Sequence, residues 1–292
     1  MSGAINGIAG REALRKVSSL RWGSYIVTVV VLFSVVGPML ASHDAFTSNP
    51  DRAMTNALLP IGPSLEYPLG ADRLFRDMLA RLALGGRLSL LIGVSASAIS
   101  AALGGLVGIV SGYTAGKRHA GLLDSTLMRF IDVGLSFPFL LLVMAIGAML
   151  ERTTVTSLLV TLGLTGWLGT ARVVRAKTLT IRNLDYVVAA RALGQRHPAI
   201  LWKHILPNVS GPLLVSATLS VAQMILAECV LSYLGVGLSP PTPTWGAMLY
   251  EGQDSYTLAP WLLACPAVAI VATVLGFNLI GEGLRDVLDP KS

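Results

Sequence analysis

Long runs without a charged residue decide what this chain can fold into. Several are long enough to cross a bilayer, which takes about 20 apolar residues. Hydrophobic residues make up 53% of the chain and charged residues 13%, against about 25% charged in ordinary globular chains. A segment exposed to lipid must pair its own backbone groups, so these runs are expected to be helices and the chain an all-α, polytopic membrane helical bundle. The formal charge of +6 need not signal nucleic acid, because Lys and Arg collect in the cytoplasmic loops of membrane proteins. Cys229 and Cys265 lie in apolar segments and read as small packing residues rather than a disulfide framework.

Six spans can be drawn, at about 25–41, 88–112, 130–150, 155–170, 211–235 and 260–280. The first is short and ends near Pro38. It could instead be a signal peptide, but no clear Ala-x-Ala site follows, and its removal would put the next terminus outside. Orientation follows from the basic residues. Arg11, Arg15, Lys16 and Arg21 precede span one, and Lys117 and Arg118 separate spans two and three. Arg172, Arg175, Lys177, Arg182, Arg191, Arg196 and Lys203 lie between spans four and five. The opposite side has Arg152 and a stretch, 236–259, without Lys or Arg. Both termini are therefore expected in the cytoplasm.

One segment resists that rule. Residues 42–87, placed outside, hold Arg52, Arg73, Arg76, Arg81 and Arg87, partly offset by Asp44, Asp51, Glu66, Asp72 and Asp77. Within them Leu74, Phe75, Met78, Leu79 and Leu82 recur at helical spacing, the pattern of a helix lying on the outer membrane surface or packed on the bundle as a plug. The expected organisation is a cytoplasmic segment 1–24, a first helix 25–41, and the extracytoplasmic loop 42–87 with its interfacial helix. A core of five helices, 88–284, follows with a cytoplasmic loop 171–208, and the tail 285–292 is cytoplasmic. In span two Gly104, Gly108, Gly112 and Gly116 fall four apart, which lets a neighbouring helix come close, either as fixed packing or as a sliding seam.

The polar, basic interruption at 185–207 reads as two short helices meeting at a bend. Ala189, Ala190, Ala192 and Leu193 favour helix and Gly194 is a natural stop. Pro198 can open the second helix in its first turn, and Pro207 is expected to end it before span five. Such a bracket can enter a groove in a partner, with Tyr186, Val187, Ala190, Leu201 and Trp202 as contact area and Arg191, Arg196 and Lys203 steering. By its charges alone it could equally be a solvated positive-inside loop.

Its spacing resembles the signature of ABC-importer permeases, Glu-Ala-Ala, three residues, Gly, nine residues, Ile-x-Leu-Pro. Here Val188, Ala189 and Ala190 are followed by Gly194, then His204, Ile205, Leu206 and Pro207. Val188 stands where the family has glutamate, so a salt bridge from that position is not available. Further stretches are similar to the C-type inner-membrane subunit of the dipeptide, oligopeptide and nickel importers. Tyr67-Pro68-Leu69-Gly70-Ala71-Asp72 with Arg76-Asp77 matches one element, with Phe75 where glycine is usual. Gly86-Arg87-Leu88-Ser89-Leu90, Gly112-Tyr113, Ala227-Glu228, Leu231 to Gly235, Pro240 to Gly246 and Gly283 to Pro290 match others, in order, over about 65–290.

The resemblance implies a type I ABC importer permease fold and a path for peptides, or for nickel or another small solute. It implies four kinds of partner: a homologous second permease, two ATP-binding subunits, an extracytoplasmic substrate-binding protein, and membrane lipid; nucleic acid is not among them. No cofactor is expected in this chain, ATP and Mg belonging to the partner ATPases. Coupling to them would run through Val188, Ala189, Ala190, Gly194, His204, Leu206 and Pro207.

Glu228 lies about 18 residues beyond Ser210, toward the outer side at 1.5 Å per residue. A carboxylate at that depth points to function by default: it could line the translocation path, brace the outer gate, or be a protonated structural group. A self-contained, ion-coupled secondary transporter using Glu228 is the rival from another class, although no internal repeat supports it. In the stretch 236–259, Pro240, Pro241 and Pro243 exclude a plain helix and suggest an outer re-entrant segment. The resemblance implies that it lies near the outer gate, with Trp245, and the alternative is an ordinary loop with Trp245 anchored at the interface. Arg129 and Asp132 are placed to pair on one helix face. Enzyme signatures fail: Gly112 to Lys117 is too short between its glycines for a P-loop and Arg118 replaces Ser/Thr, and His43, His119, His197 and His204 are scattered. The chain is expected to catalyse nothing itself.

Overall fold

A computed structural model describes residues 2–116, 120–150 and 153–288. Lys117, Arg118, His119, Arg152, Asp289 and Pro290, used above, lie outside the described residues. The described chain is helical, with two isolated β-bridges, Met54 to Pro60 and Ala71 to Asp77. In order come α1 (Ser2–Leu40), the single turn α2 (Pro50–Ala53), α3 (Met78–Thr114), α4 (Ala120–Ser136), α5 (Phe139–Ala148) and α6 (Val155–Ile181). Then follow α7 (Asp185–Ala192), α8 (His197–Ile200), a π turn (Leu201–Ile205), α9 (Leu206–Tyr233), α10 (Trp245–Gly252) and α11 (Trp261–Leu288). Five helical runs are long and apolar enough to cross a membrane, and the pair α4–α5, bent by 86°, makes up to six.

Several span ends depart from the sequence expectation, each for a local reason. Span one, drawn to 41, is matched at that end by α1, which runs through Pro38 to Leu40. Proline has no N–H for the carbonyl four residues back, and Arg87 of α3 supplies the donor instead, its Nε 2.8 Å from Ser34 O. Span three, drawn as one segment over 130–150, breaks at Phe137 and Pro138, where the residue before a proline is pushed out of the helical region. Span four continues to Ile181. Arg172, Arg175 and Lys177, assigned above to the cytoplasmic loop, therefore stand on α6. There Arg175 grips Asp124 of α4 with two bonds of 2.6 and 2.8 Å. Ser111 of α3 adds its own bond to Asp124. Asp132 pairs across to Arg172, not to Arg129 as the spacing suggested.

The interfacial helix is also corrected. Phe75 has a φ of 61°, which ends any helix through 74–76. The apolar spacing belongs to the first turns of α3, where Met78 and Leu82 are buried in the bundle. Asp77 caps that start, its Oδ1 accepting from the Leu79 and Ala80 N–H groups. The loop before it is a small folded cap: Tyr67 is buried and its ring stacks on His43 at 4.6 Å. Burial raises the Tyr67 phenol above its ordinary range, with Glu66 and Asp77 adding to the effect. Trp261 Nε1 of α11 donates to Ala71 O at 3.1 Å and ties the cap to the bundle.

Left-handed backbone at a phenylalanine costs about 1–2 kcal/mol. Phe75→Gly is therefore expected to be about 1 kcal/mol more stable than Phe75→Ala, although both lose the ring. Thermal unfolding of the two purified variants measures the order, and an alanine variant at least as stable as the glycine one would refute it.

At the centre, α3 packs on α6, α9 and α1, and α1 on α11. Three of the four spaced glycines form the α3–α6 contact. A Cβ at Gly104 would stand 2.8 Å from Trp167 O, at Gly108 2.6 Å from Ala171 O, and at Gly112 2.8 Å from Arg175 O. The two backbones touch over three turns, which no larger residue permits. Gly116 lies beyond the end of α3, where a Cβ would meet no neighbouring helix, and is not part of the seam.

Candidate functional site

The bracket forms because α6 ends at Ile181 and the chain turns at once into α7. Its inner side is apolar and closed: Val187, Ile200 and Ile205 are fully buried with Tyr113, Val174, Ile181 and Val209. Val187, grouped above with the contact residues, is thus an anchor facing inward. α7 ends in a Schellman turn, with Gly194 N–H donating to Arg191 O and Gln195 N–H to Ala190 O, both at 3.1 Å. Gly194 takes a φ of 78° there and has open space around it. The Gln195 side chain then meets His204 Nε2 at 3.1 Å, and the His204 ring lies 5.8 Å from that of Tyr186, which holds the two arms together.

Pro198 sits in the first turn of α8. Pro207 does not end the second arm as expected: His197–Tyr233 is one helical run. The π turn before it, closed by Leu206 N–H to Leu201 O, shifts the backbone pairing where proline would otherwise clash with the preceding turn. The outward side of the bracket exposes Tyr186, Val188, Leu193 (88%) and Trp202 (72%). Ala189 and Pro207 are exposed too, Ala190, His204 and Leu206 half-buried, and the cations Arg191, Arg196 and Lys203 are exposed around them.

At the other end, Glu228 and Trp245 come together, both 0% exposed. The Glu228 carboxylate accepts from Ser89 Oγ at 2.8 Å and Ser232 Oγ at 2.7 Å. Cys229 Sγ stands 3.6 Å from it. Ser89 Oγ in turn accepts the Trp245 N–H at 3.3 Å, and Trp245 Nε1 donates to Leu82 O at 3.0 Å. Glu228 and Trp245 therefore brace α3, α9 and α10 against one another. Trp245 is an internal residue here rather than an interfacial anchor.

Beside them lies an ion cluster that sequence reasoning missed. Arg81, 0% exposed, places its Nη2 at 3.0 and 2.8 Å from the two oxygens of Glu251 on α10 and its Nε 3.1 Å from Asp72. Arg76 bridges the same acids, at 2.6 Å to Asp72 and 3.1 Å to Glu251. Arg73 reaches Asp254 at 3.1 Å on the exposed rim. The signal was available: five arginines crowd 42–87, while 236–259 carries Glu251 and Asp254 and no base.

Comparison with known proteins gives three findings. Residues 104–292 match the family model described as binding-protein-dependent transport system inner membrane component. The chain is 37% identical, over 92% of its length and 84% of the relative's, to the oligopeptide transport system permease protein OppC of Bacillus subtilis. It is 38% identical to OppC of Escherichia coli, over 91% and 85%, and 37% identical to the dipeptide transport system permease protein DppC of Bacillus subtilis, over 92% and 81%. A solved structure of the MetNI methionine ABC transporter in inward-facing conformations superposes with a TM-score of 0.56 at 18% identity, covering 73% of this chain and 98% of that one, a likeness of fold.

Proposed function

Because this chain belongs to the family of binding-protein-dependent transport system inner membrane components, we propose that it is one of two permeases forming the path of an ATP-driven importer of dipeptides or oligopeptides. The observation that carries this reading is the bracket. Its inner face is locked into the bundle while Tyr186, Val188, Leu193 and Trp202 stand exposed among three cations, an arrangement suited to a groove in a soluble partner. Val188, Ala189, Ala190, Gly194, His204, Leu206 and Pro207 hold or present that knob to an ATP-binding subunit. ATP and Mg are bound there, two such subunits serving two permeases. Moving a gate from 1:99 to 99:1 takes about 5.5 kcal/mol of differential binding, which the partners supply.

The chain lies in the inner membrane with both termini and the bracket in the cytoplasm. The arginines of 42–87 fit this orientation. Arg52 pairs with Glu66, Arg73, Arg76 and Arg81 with acids of the same fold, and Arg87 with carbonyls of α1, so each of the loop's five arginines has a partner within the fold. The extracytoplasmic binding protein docks on that side. The permeases of oligopeptide and dipeptide systems among the relatives favour peptides over nickel or another small solute. Glu228, enclosed by Ser89 and Ser232, reads as a brace of the outer end rather than the ion site of a secondary transporter.

The test is purification from gently solubilised membranes followed by transport in liposomes. A second permease, P-loop ATPases and a substrate-binding protein are expected to co-purify, with peptide uptake that needs ATP and survives collapse of the proton gradient. A chain that purifies alone and transports without ATP would overturn the reading.

A further inference from the structure

Tyr113 stands in the last turn of α3 and lies outside the bracket, yet it touches both of the bracket's arms. It is buried, and its hydroxyl lies 2.8 Å from His197 Nδ1 at the first residue of α8. The hydroxyl donates when His197 carries its proton on Nε2. The Arg191 guanidinium, in the last turn of α7, stands over the Tyr113 ring at 5.9 Å from its centre. Arg182, which closes α6, donates to Gly112 O at 2.8 Å and Ala115 O at 2.6 Å. The last carbonyls of α3, which a helix end leaves open, are thus taken by the segment that enters the bracket.

The far end of α3 is held as firmly. Asp77 caps it and Arg81 joins it to Glu251 of α10. Between these attachments α3 runs 37 residues with no proline, about 55 Å at 1.5 Å per residue. A loop would absorb a small displacement in its dihedrals, whereas a helix hydrogen-bonded throughout passes it on.

We propose that Tyr113 is a positioning residue for energy coupling: it fixes the bracket to α3, and α3 carries the bracket's displacement to α10 on the opposite face. This rests on the reading that the bracket receives the ATP-driven motion. The test uses the complete reconstituted transporter with Tyr113→Phe, His197→Gln and the double variant, measuring peptide accumulated per ATP hydrolysed alongside the yield of assembled complex. Tyr113→Phe keeps the ring under Arg191 and loses only the hydroxyl. The ratio is expected to fall about fivefold at unchanged yield, as the loss of one such bond allows. His197→Gln retains an acceptor and is expected to keep most of the ratio, and it should add nothing in the Tyr113→Phe background. A Tyr113→Phe transporter with the wild-type ratio, or a fall that merely follows falling yield, overturns the inference alone. Wild-type uptake that needs no ATP overturns the parent reading and this inference with it.

Discussion

Gly194→Trp is expected to abolish uptake, by more than tenfold, while the assembled complex goes on hydrolysing ATP. Gly194 sits at the left-handed residue of the Schellman turn, and apart from its chain neighbours no atom lies within 4 Å of where its side chain would begin. Gly194 is exposed, so a larger side chain can point away from the chain, and the internal cost expected is that of the backbone conformation, about 1 kcal/mol. A groove that receives the turn has no such room. The two effects separate in a series measured for uptake and for ATP hydrolysis. Asn tolerates the left-handed conformation, Ala does not, and both are small. If the turn enters a partner, damage follows size: Asn and Ala mild, Leu and Trp severe. Damage that follows backbone preference, with Ala worse than Asn, would show that Gly194 serves only the turn.

Asp72→Asn is expected to cost about 3–5 kcal/mol, the usual penalty for leaving a buried charge unpaired. Asp72 takes the Arg76 Nε at 2.6 Å and stands 3.1 Å from the Arg81 Nε, while its other oxygen accepts the Leu74 and Arg76 N–H groups. An amide offers donors to two guanidinium groups that need acceptors, and Glu251 alone must then balance both. The loss should appear as a lower unfolding temperature of the detergent-purified protein and as faster proteolysis in the cap at 42–77. By contrast Arg73→Ala, on the exposed rim, should change stability by less than about 1 kcal/mol. Equal effects from the two substitutions would mean that the buried cluster carries no special strength.

The cores of the spans were legible because a run of apolar residues has few alternatives in a membrane. Their ends were not, because an end depends on whether a charge or a bare carbonyl finds a partner elsewhere in the chain. Arg172 and Arg175 looked like the start of a loop, yet acids on α4 let α6 continue past them. Pro207 looked like a stop and is not, since the π turn repairs the pairing, as Arg87 does for the helix through Pro38. Pro138, inside a run drawn as one span, is where that span breaks. The bracket's bend was visible at Gly194, because a Schellman turn is a local device. The outer ion cluster was hidden because its halves, 72–81 and 251–254, are far apart in sequence and only opposite charge content linked them.

The Arg87 contact also bears on how the chain is assembled. α1 is made before α3, and until α3 arrives the Ser34 carbonyl has no donor, its natural one having been replaced by the ring of Pro38. A bare carbonyl in hydrocarbon costs several kcal/mol. A newly inserted α1 is therefore expected to keep its regular helix only to about Ser34, with the following turn at the wet surface, until α3 docks. The full helix to Leu40 is then a product of its later docking with α3. Insertion and folding of the first segment are thus two events separated by the synthesis of some fifty residues.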